Sequence, residues 1–171
     1  MKCICGFLIP DSGSITVNGE RVGVDVDFPR DMGLIIETPG FLPNVTGMKN
    51  LEILASLNKK IGLREIAASM RAVSLDPSMN KPVGKYSLGM RQRLGIAQAI
   101  MENPSLLILD EPLNGLDKHG VREMRQLIKG LKEQGKTILL ASHNQGDIDE
   151  LCDTVCEMDA GVMTMIREES I

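Results

Sequence analysis

Two continuous aliphatic runs separated by one helical pattern constrain the fold of this chain most strongly. Residues 106–109 read LLIL and residues 137–141 read TILLA, without the polar alternation of a half-exposed strand. Runs of this kind are typical of parallel strands that are covered on both faces. Residues 121–132, between them, place apolar side chains at the three- and four-residue spacing of a helix. Strand, helix and strand in this order predict a layered α/β fold built on a parallel sheet.

The rest of the chain extends this pattern in both directions. Residues 32–36 (MGLII) predict a further buried strand, and the pair Asn18-Gly19 after residues 14–17 predicts a hairpin turn. Apolar spacing and turn signals also predict helices at residues 51–57, 63–73 and 90–101, a short acidic helix after residue 141, and edge strands at residues 154–158 and 162–166. Because no strand pattern interrupts the first three helices, we expect an inserted helical subdomain over residues 44–101.

Composition and charge limit the classes of function. Apolar residues make up 43% and charged residues 25% of the 171 positions, which is the balance of a folded globular domain. The net charge of −4 and the lack of a Lys/Arg block argue against nucleic acid as a partner. No apolar run approaches the roughly 18 residues that span a bilayer. We therefore expect a membrane role only through a partner protein.

The four cysteines favour a reducing compartment. Cys3 and Cys5 are separated by one residue and Cys152 and Cys156 by three, whereas zinc ribbons use a separation of two. We therefore expect reduced, buried structural thiols. With no signal-peptide pattern in the sequence, this predicts a cytoplasmic protein.

Four short motifs carry the chemistry. The sequence reads YSLGMRQRLG at residues 86–95, LLILDEP at 106–112, NGLD at 114–117, and then Ser142-His143. Asp110 and Glu111 end a predicted strand, so they lie at the carboxyl edge of the sheet, where α/β proteins place ligands. Taken alone, two acids at a strand end are more often solvated turn residues. The other three motifs, at these spacings, favour a functional site.

In this order and at these spacings, the motifs resemble the nucleotide-binding domain of ATP-binding-cassette (ABC) ATPases over nearly the whole chain. The resemblance implies a P-loop-type (RecA-like) parallel sheet flanked by helices, with the helical subdomain inserted, and it implies ATP and Mg²⁺ as ligands. Members carry a phosphate loop, G-x-x-x-x-G-K-[ST], and no such string occurs between Met1 and Ile171. We therefore expect that the phosphate loop and the first strands, roughly forty residues, are missing before Met1. The alternative is a complete and different small domain that starts at Met1.

Residues 1–9 (MKCICGFLI) fit that expectation. Their apolar helical pattern ends at the turn PDSG, residues 10–13, as does the family's helix that follows the phosphate loop. Loss of the preceding segment would expose apolar side chains around Ile4, Phe7 and Leu8 and favour aggregation.

The resemblance assigns roles to the acidic strand end and to the histidine. Asp110 would help to hold Mg²⁺, directly or through water, and Glu111 would orient or deprotonate the attacking water. His143 matches the switch histidine that contacts the γ-phosphate. Asp117, in a segment that resembles the D-loop, would shape the contact between two subunits. The competing interpretations are solvated carboxylates, a plain turn and a histidine satisfied by its neighbours.

The segment around Ser87 resembles the family's signature. Ser87, Leu88, Gly89 and Met90 would bind the γ-phosphate of ATP held by the opposite subunit, through backbone N–H groups and the helix dipole. The family pattern is Leu-Ser-Gly-Gly-Gln, so Tyr86 replaces Leu, Leu88 replaces the first Gly and Met90 replaces Gln. The competing interpretation is a serine that caps an ordinary helix.

Glu37 is the residue that best distinguishes one subfamily of ABC domains from another. Most ABC domains place a Gln here that senses Mg²⁺ and the attacking water. The segment IIETPGFLPNVTGMKNL, together with the signature, resembles the bacitracin- and lantibiotic-resistance exporters, in which a Glu at this loop is a known variant. We therefore expect Glu37 to ligate Mg²⁺ and to act in a Mg²⁺-dependent switch; the alternative is a drifted surface residue.

The resemblance therefore implies the ATP-binding and ATP-hydrolysing subunit of an ABC exporter for a peptide antibiotic, a lantibiotic-like compound or another amphiphile. It would act with a separate membrane permease and a second ATPase subunit, on the inner face of the cell membrane. One alternative is a truncated, non-catalytic remnant that dimerises without hydrolysing ATP. Another is a non-transport ABC ATPase, but the roughly fifty residues between Glu37 and the signature are too few for the coiled coil of a repair ATPase. The acidic chain also lacks the basic linkers of translation factors.

Overall fold

The computed structural model describes residues 1–37 and 39–168. The strands are β1 (Thr16–Val17), β2 (Glu20–Arg21), β3 (Met32–Ile35), β4 (Leu106–Asp110), β5 (Thr137–Ala141), β6 (Thr154–Asp159) and β7 (Val162–Glu168). The helices are α1 (Gly47–Asn58), α2 (Leu63–Ala72), α3 (Leu88–Ile100), α4 (Lys118–Glu133) and α5 (Gln145–Leu151), with a 3₁₀ turn at Val83–Lys85.

The centre of the fold is a parallel sheet with the strand order β3-β4-β5. Ile108 pairs with Leu34 on one side and with Leu139 on the other. Leu107, Ile108 and Leu109 are all at most 1% exposed, because β4 is the middle strand and is covered on both faces. Leu107 and Leu109 face the core that the helices form. The α/β layered architecture predicted from the aliphatic runs is confirmed.

Helices α1, α2 and α3 follow one another between β3 and β4, and α4 connects β4 to β5. Close packing of α3 on the sheet requires a glycine in β3. A Cβ at Gly33 would lie 1.9 Å from the carbonyl oxygen of Ala99, so only glycine lets the helix backbone approach this far.

Helices α1, α3 and α4 begin earlier than their apolar spacing predicts, because capping residues set their first turns. The side chains of Thr46, Ser87 and Asp117 accept hydrogen bonds from the backbone N–H three residues on, at 3.3, 3.2 and 2.8 Å. These bonds satisfy N–H groups that the helix itself leaves unpaired. As a result, α3 begins at Leu88 and α4 at Lys118, two and three residues before the predicted starts.

The predicted apolar helix over residues 1–9 is wrong. The chain makes a single helical turn that ends at Gly6, whose φ is +78°. The N–H of Phe7 bonds to the carbonyl of Lys2, and the N–H of Gly6 to the carbonyl of Cys3, which is the hydrogen-bond pattern that terminates helices at a left-handed glycine. Phe7 and Leu8 are 56% and 55% exposed, as expected.

Two hairpins complete the described structure. The turn predicted at Asn18-Gly19 is confirmed, with both residues at positive φ between β1 and β2. Strands β6 and β7 pair with each other in a separate antiparallel sheet, whereas edge strands had been expected. Only Ala160 and Gly161 separate the two strands, so a local hairpin costs less loop-closure entropy than a pairing with a distant strand.

The cysteines only partly match the expected buried thiols. All four are free, and Cys5 is buried, but Cys156 lies exposed on β6. Burial raises the pKa of the Cys5 thiol, so this side chain stays protonated and packs as a small apolar group.

Candidate active site

Glu111 leaves the sheet at the end of β4 in an uncommon backbone conformation. Asp110 is the last residue of the strand and pairs with Ala141 in β5. Glu111 has φ +48°, and its N–H still donates to the carbonyl of Ala141 at 2.9 Å. A left-handed conformation costs a non-glycine residue about 1–2 kcal/mol. The turn therefore directs the Glu111 carboxylate out of the strand at an energetic cost that surrounding contacts must offset.

His143 contacts the carboxylate of Glu111 through two nitrogen atoms. The backbone N–H of His143 lies 2.9 Å from Oε1 of Glu111, and the ring Nδ1 lies 2.7 Å from the same oxygen. A carboxylate accepts, so Nδ1 carries the proton in this arrangement. The side chains of Glu111 and His143 are 31% and 76% exposed, which leaves the other carboxylate oxygen open to a water molecule. Sequence analysis placed both residues in the site, and the structure brings them together.

Glu37 has a cationic partner, Lys2. The Lys2 ammonium donates to Oε1 of Glu37 at 2.6 Å, and this hydrogen bond lowers the pKa of the Glu37 carboxyl, with the attraction between the charges adding to it. The same bond raises the pKa of Lys2, and the charge of Asp110 contributes further. Carboxylate oxygens such as those of Glu37 and Asp110 are the kind of donor that Mg²⁺ prefers. Within residues 1–37 and 39–168, no cluster of three or more His, Cys, Asp or Glu side chains has the arrangement of a metal site.

The tip of α3 presents donors for an anion. Ser87 caps the helix by accepting from the N–H of Met90 at 3.2 Å. The first-turn N–H groups of Leu88 and Gly89 have no partner within the helix, by the geometry of any helix start. The Leu88 side chain stands beside them and is 56% exposed. Serine capping and anion binding are compatible, because the cap uses the hydroxyl oxygen and leaves the outer N–H groups available.

The segment before α4 packs directly on this tip. A Cβ at Gly89 would lie 3.0 Å from the carbonyl oxygen of Gly115, and a Cβ at Gly115 would lie 2.5 Å from Cγ of Leu88. Gly115 has φ +75°, a region that favours glycine. Asp117 then caps α4 through the N–H of Gly120. The structure therefore brings Glu111 into contact with His143, and the α3 tip into contact with the segment that leads to Asp117. Glu37 contacts Lys2, and Asp110 precedes Glu111 at the end of β4.

Sequence analysis missed two side chains that hold these clusters. Gln92, on α3, donates from Nε2 to the carbonyl oxygens of Glu111 and Pro112 at 3.1 and 2.9 Å. Arg125, on α4, donates from Nε to the buried carboxylate of Asp147 at 2.9 Å. Gln92 and Asp147 are only 9% and 5% exposed. The signal that could have found these contacts is a polar residue at a helix position that faces the core.

No helix within the described ranges has the combined length and apolarity needed to cross a bilayer.

Comparison with known proteins identifies the family. The sequence pattern of the ABC transporter family matches residues 1–114. The chain belongs to the ABC transporter family. The resemblance inferred from the signature and acidic motifs is confirmed, and proteins named for bacitracin and lantibiotic transport are among the relatives.

Three relatives illustrate the match. The chain is 41% identical over 161 residues to the uncharacterized ABC transporter ATP-binding protein YybJ of Bacillus subtilis, covering 94% of this chain and 74% of that protein. It is 40% identical over 163 residues to the bacitracin transport ATP-binding protein BcrA of Enterococcus faecalis, covering 94% and 53%. It is 36% identical over 170 residues to the lantibiotic transport ATP-binding protein SrtF of Streptococcus pyogenes, covering 98% and 72%. The chain thus spans between about half and three quarters of the length of these relatives.

The fold matches that of solved cassettes. A dimeric ATP-binding cassette, MJ0796, in a post-hydrolysis state bound to ADP and Pi, superposes with a TM-score of 0.82 at 19% identity, covering 97% of this chain and 78% of that one. At this identity the likeness concerns the fold, and it agrees with the predicted parallel sheet flanked by helices.

Proposed function

We propose that the chain is the ATP-binding and ATP-hydrolysing part of an ABC exporter. The observation that carries the proposal is the Glu111–His143 pair at the carboxyl end of β4, where the carboxylate is fixed by two donors and still faces solvent. Such a carboxylate can orient a water molecule and accept its proton while the γ-phosphate is attacked. His143, held by Glu111, is in place to contact that phosphate through its remaining ring nitrogen.

Asp110 and Glu37 are the candidates for holding Mg²⁺. Mg²⁺ binds through one or two carboxylates together with the phosphates of a nucleotide, and neutralises charge on them. The Lys2 ammonium at Glu37 shows that this carboxylate can pair with a cation. For Glu37 to act as a ligand, its ion pair with Lys2 must open. An exposed pair of this kind is weak, so opening it costs little.

The α3 tip serves a second copy of the chain or a related subunit. Ser87, Leu88, Gly89 and Met90 offer their backbone donors to the γ-phosphate bound by the opposite subunit, and Asp117 lies at the contact. Residues 44–101 form the helical subdomain that carries this tip. The departures from the family signature preserve Ser87 and Gly89, on which the backbone contacts depend.

The partner is a membrane permease, which would hold the chain at the inner face of the cell membrane. The names of two relatives, bacitracin transport and lantibiotic transport ATP-binding proteins, support a peptide antibiotic or a similar amphiphile as the exported compound. The segment from Glu37 to Asn44 would pass movement to the permease.

Activity of the protein expressed from its own gene, together with any residues encoded before Met1, tests the proposal. We expect Glu111→Gln to lower kcat for ATP hydrolysis by about 10²- to 10⁴-fold, because the amide cannot accept the proton of water. Glu133→Gln at the exposed end of α4 is the matched control and should leave kcat unchanged. Equal activities of the two variants would contradict the role of Glu111. If neither the wild type nor any variant hydrolyses ATP, the non-catalytic alternative replaces this proposal.

A further inference from the structure

The backbone of Glu111 is held from α3, the same helix whose tip carries Ser87. Glu111 lies in the left-handed region, so its peptide needs contacts that keep it there. Its carbonyl oxygen accepts from the N–H of Asn114 at 3.2 Å and from Nε2 of Gln92 at 3.1 Å. The Asn114 bond is local, whereas the Gln92 bond comes from an element separated by nineteen positions in the chain.

The Gln92 side chain is buried at its contact with the Glu111 carbonyl. Its side chain is 9% exposed and donates a second hydrogen bond to the carbonyl of Pro112 at 2.9 Å. Two carbonyl oxygens require two donors, so the amide nitrogen, not the oxygen, faces them. A buried amide that donates to two successive carbonyls fixes both peptides. An apolar residue of equal size would remove the Gln92 bond to the Pro112 carbonyl and leave the Glu111 carbonyl with the Asn114 bond alone.

Two further contacts bind α3 to the segment that follows Glu111. Gly89 packs against Gly115, with room for no side chain between them. Arg93 donates from Nη2 to Glu123 on α4 at 2.7 Å and from Nη1 to the carbonyl of Val73 at 2.8 Å. The first turns of α3 therefore contact the loop between β4 and α4 at its start, at its middle and beyond its end.

We propose that Gln92 is a positioning residue for Glu111, which couples the position of the α3 tip to the position of the Glu111 carboxylate within one chain. This inference rests on the proposed function of Glu111 and adds the residue that holds it. A shift of α3, such as an anion bound at its tip would cause, is transmitted by the Gln92 amide to the Glu111 peptide. The carboxylate, which His143 holds at its other end, then moves relative to the histidine.

Histidine-ring NMR on the 171-residue chain without nucleotide tests the coupling. The chain has two histidines, so ring signals from ¹⁵N-histidine are simple to assign, and His119 on α4 is an internal reference. In the wild type, the Nδ1 proton of His143 should give a downfield signal because it donates to Glu111. Gln92→Met keeps the length of the side chain and removes both donated bonds. We expect loss or a clear upfield shift of the His143 signal and no change at His119.

Two control variants separate positioning from general destabilisation. Gln98→Met changes the same residue type on the same helix at a half-buried position and should leave both signals unchanged. Ile128→Val creates a small cavity under α4 and lowers stability without touching the contact, and it should also preserve the His143 signal. An unchanged His143 signal in Gln92→Met would overturn the proposal, and so would its loss in Ile128→Val.

A measurement on the wild type covers the case in which Gln92→Met does not fold. The side-chain amide protons of Gln92 should exchange with solvent at least about tenfold more slowly than those of the exposed Gln126, because they are buried and donated. Equal exchange rates would overturn the proposal. Neither the His143 signal nor the exchange rate of the Gln92 amide depends on ATP. A failure of the hydrolysis experiment therefore does not affect this proposal, and a failure of this proposal does not affect the proposed function.

Discussion

At the scale of single residues, the site depends on backbone conformations that few residue types adopt. Glu111 and Gly115 both have positive φ, at +48° and +75°, within the short loop between β4 and α4. At Glu111 the conformation directs a carboxylate toward His143, and at Gly115 it lets the loop pass close to Leu88. The strain at Glu111 is tolerated because hydrogen bonds from Gln92 and Asn114 hold its peptide.

Gly115→Ala should lower the free energy of unfolding by about 1–2 kcal/mol, because the new Cβ is in a left-handed conformation and meets Leu88. Gly130→Ala is the matched control: it lies within α4, and a Cβ there meets no atom within 4 Å. Alanine at this helical position should raise stability by about 0.5–1 kcal/mol. Urea unfolding of both variants measures the effects, and changes of the same sign would refute the steric account.

At the scale of elements, the turn that carries His143 is held through α4 and α5. Arg125 on α4 pairs with Asp147 on α5, whose other oxygen accepts from the Ser142 hydroxyl at 3.2 Å. The N–H of Asn144 donates to the same hydroxyl at 3.1 Å. His143 lies between Ser142 and Asn144, so this network fixes its backbone on both sides.

Asp147→Ala should therefore destabilise the protein by about 2 kcal/mol, because the largely buried Arg125 guanidinium loses its hydrogen bonds to Asp147 and keeps only Glu150 as a partner. Hydrogen exchange of the α5 amides should accelerate at the same time. Asp149→Ala on the same helix removes a carboxylate whose side chain is 56% exposed, and it should cost less than about 1 kcal/mol. Similar losses for the two variants would mean that the network does not hold α5.

The contact between α3 and α4 predicts a defined acid sensitivity. The hydrogen bond from Arg93 lowers the pKa of Glu123 below its ordinary value near 4.5, and Ser74 adds a second donated bond. A carboxyl whose folded pKa is depressed stabilises the fold above that ordinary value, and the contribution disappears as pH falls through the folded pKa. Glu123→Gln should flatten the fall in melting temperature between about pH 5 and pH 3, whereas Glu133→Gln should not. Parallel curves for wild type and Glu123→Gln would contradict this contribution.

Sequence analysis predicted well the elements whose burial is visible in the pattern of their own apolar residues. Residues 106–109 are fully apolar because β4 is covered on both faces. This apolar run can be recognised in the sequence without knowing which strands and helices pack against it. The single turn ending at Gly6 escaped prediction because a left-handed glycine overrides an apolar helical pattern. Strands β6 and β7 pair only with each other. This pairing depends on which other strands are available, and a local sequence pattern does not specify that.

Among the site residues, motif spacing indicated Glu111 and His143, and the structure places them in contact. Sequence analysis missed Gln92 and Arg125, because a glutamine or an arginine on a helix is usually solvated and only tertiary packing reveals its partners. The role of Glu37 as a metal ligand stays a prediction, and its structural partner is Lys2.

At the scale of the whole molecule, we propose that the described chain contributes one half of a nucleotide site at the edge of the sheet and the other half at the α3 tip. With no phosphate-loop string between Met1 and Ile171, the isolated 171-residue chain should bind Mg-ATP very weakly. Isothermal titration calorimetry measures the affinity directly. A low-micromolar dissociation constant would show that these residues suffice for binding and that this expectation is wrong.

Apolar side chains on the surface should make the same isolated chain prone to association. Ile9 is 83% exposed, and Met163 and Ile166 on β7 are 67% and 60% exposed. Ile9→Ser combined with Met163→Ser should delay light scattering on concentration, since exposed apolar surface drives aggregation. Leu57→Ser, at a 76% exposed position on α1, provides the comparison for a single isolated apolar residue. An equal delay from that variant would place the association surface elsewhere.

The central claim is that the Glu111 cluster and the Ser87 tip are halves of one ATP site completed by a second subunit. Sedimentation of the Glu111→Gln protein, expressed from its own gene with any residues encoded before Met1, measures this most directly. We predict a monomer without nucleotide and a dimer with ATP, since slow hydrolysis preserves the γ-phosphate that both halves contact. Ser87→Arg added to the same variant should abolish the dimer. A Glu111→Gln protein that stays monomeric at saturating ATP, or that dimerises equally without it, would contradict the account.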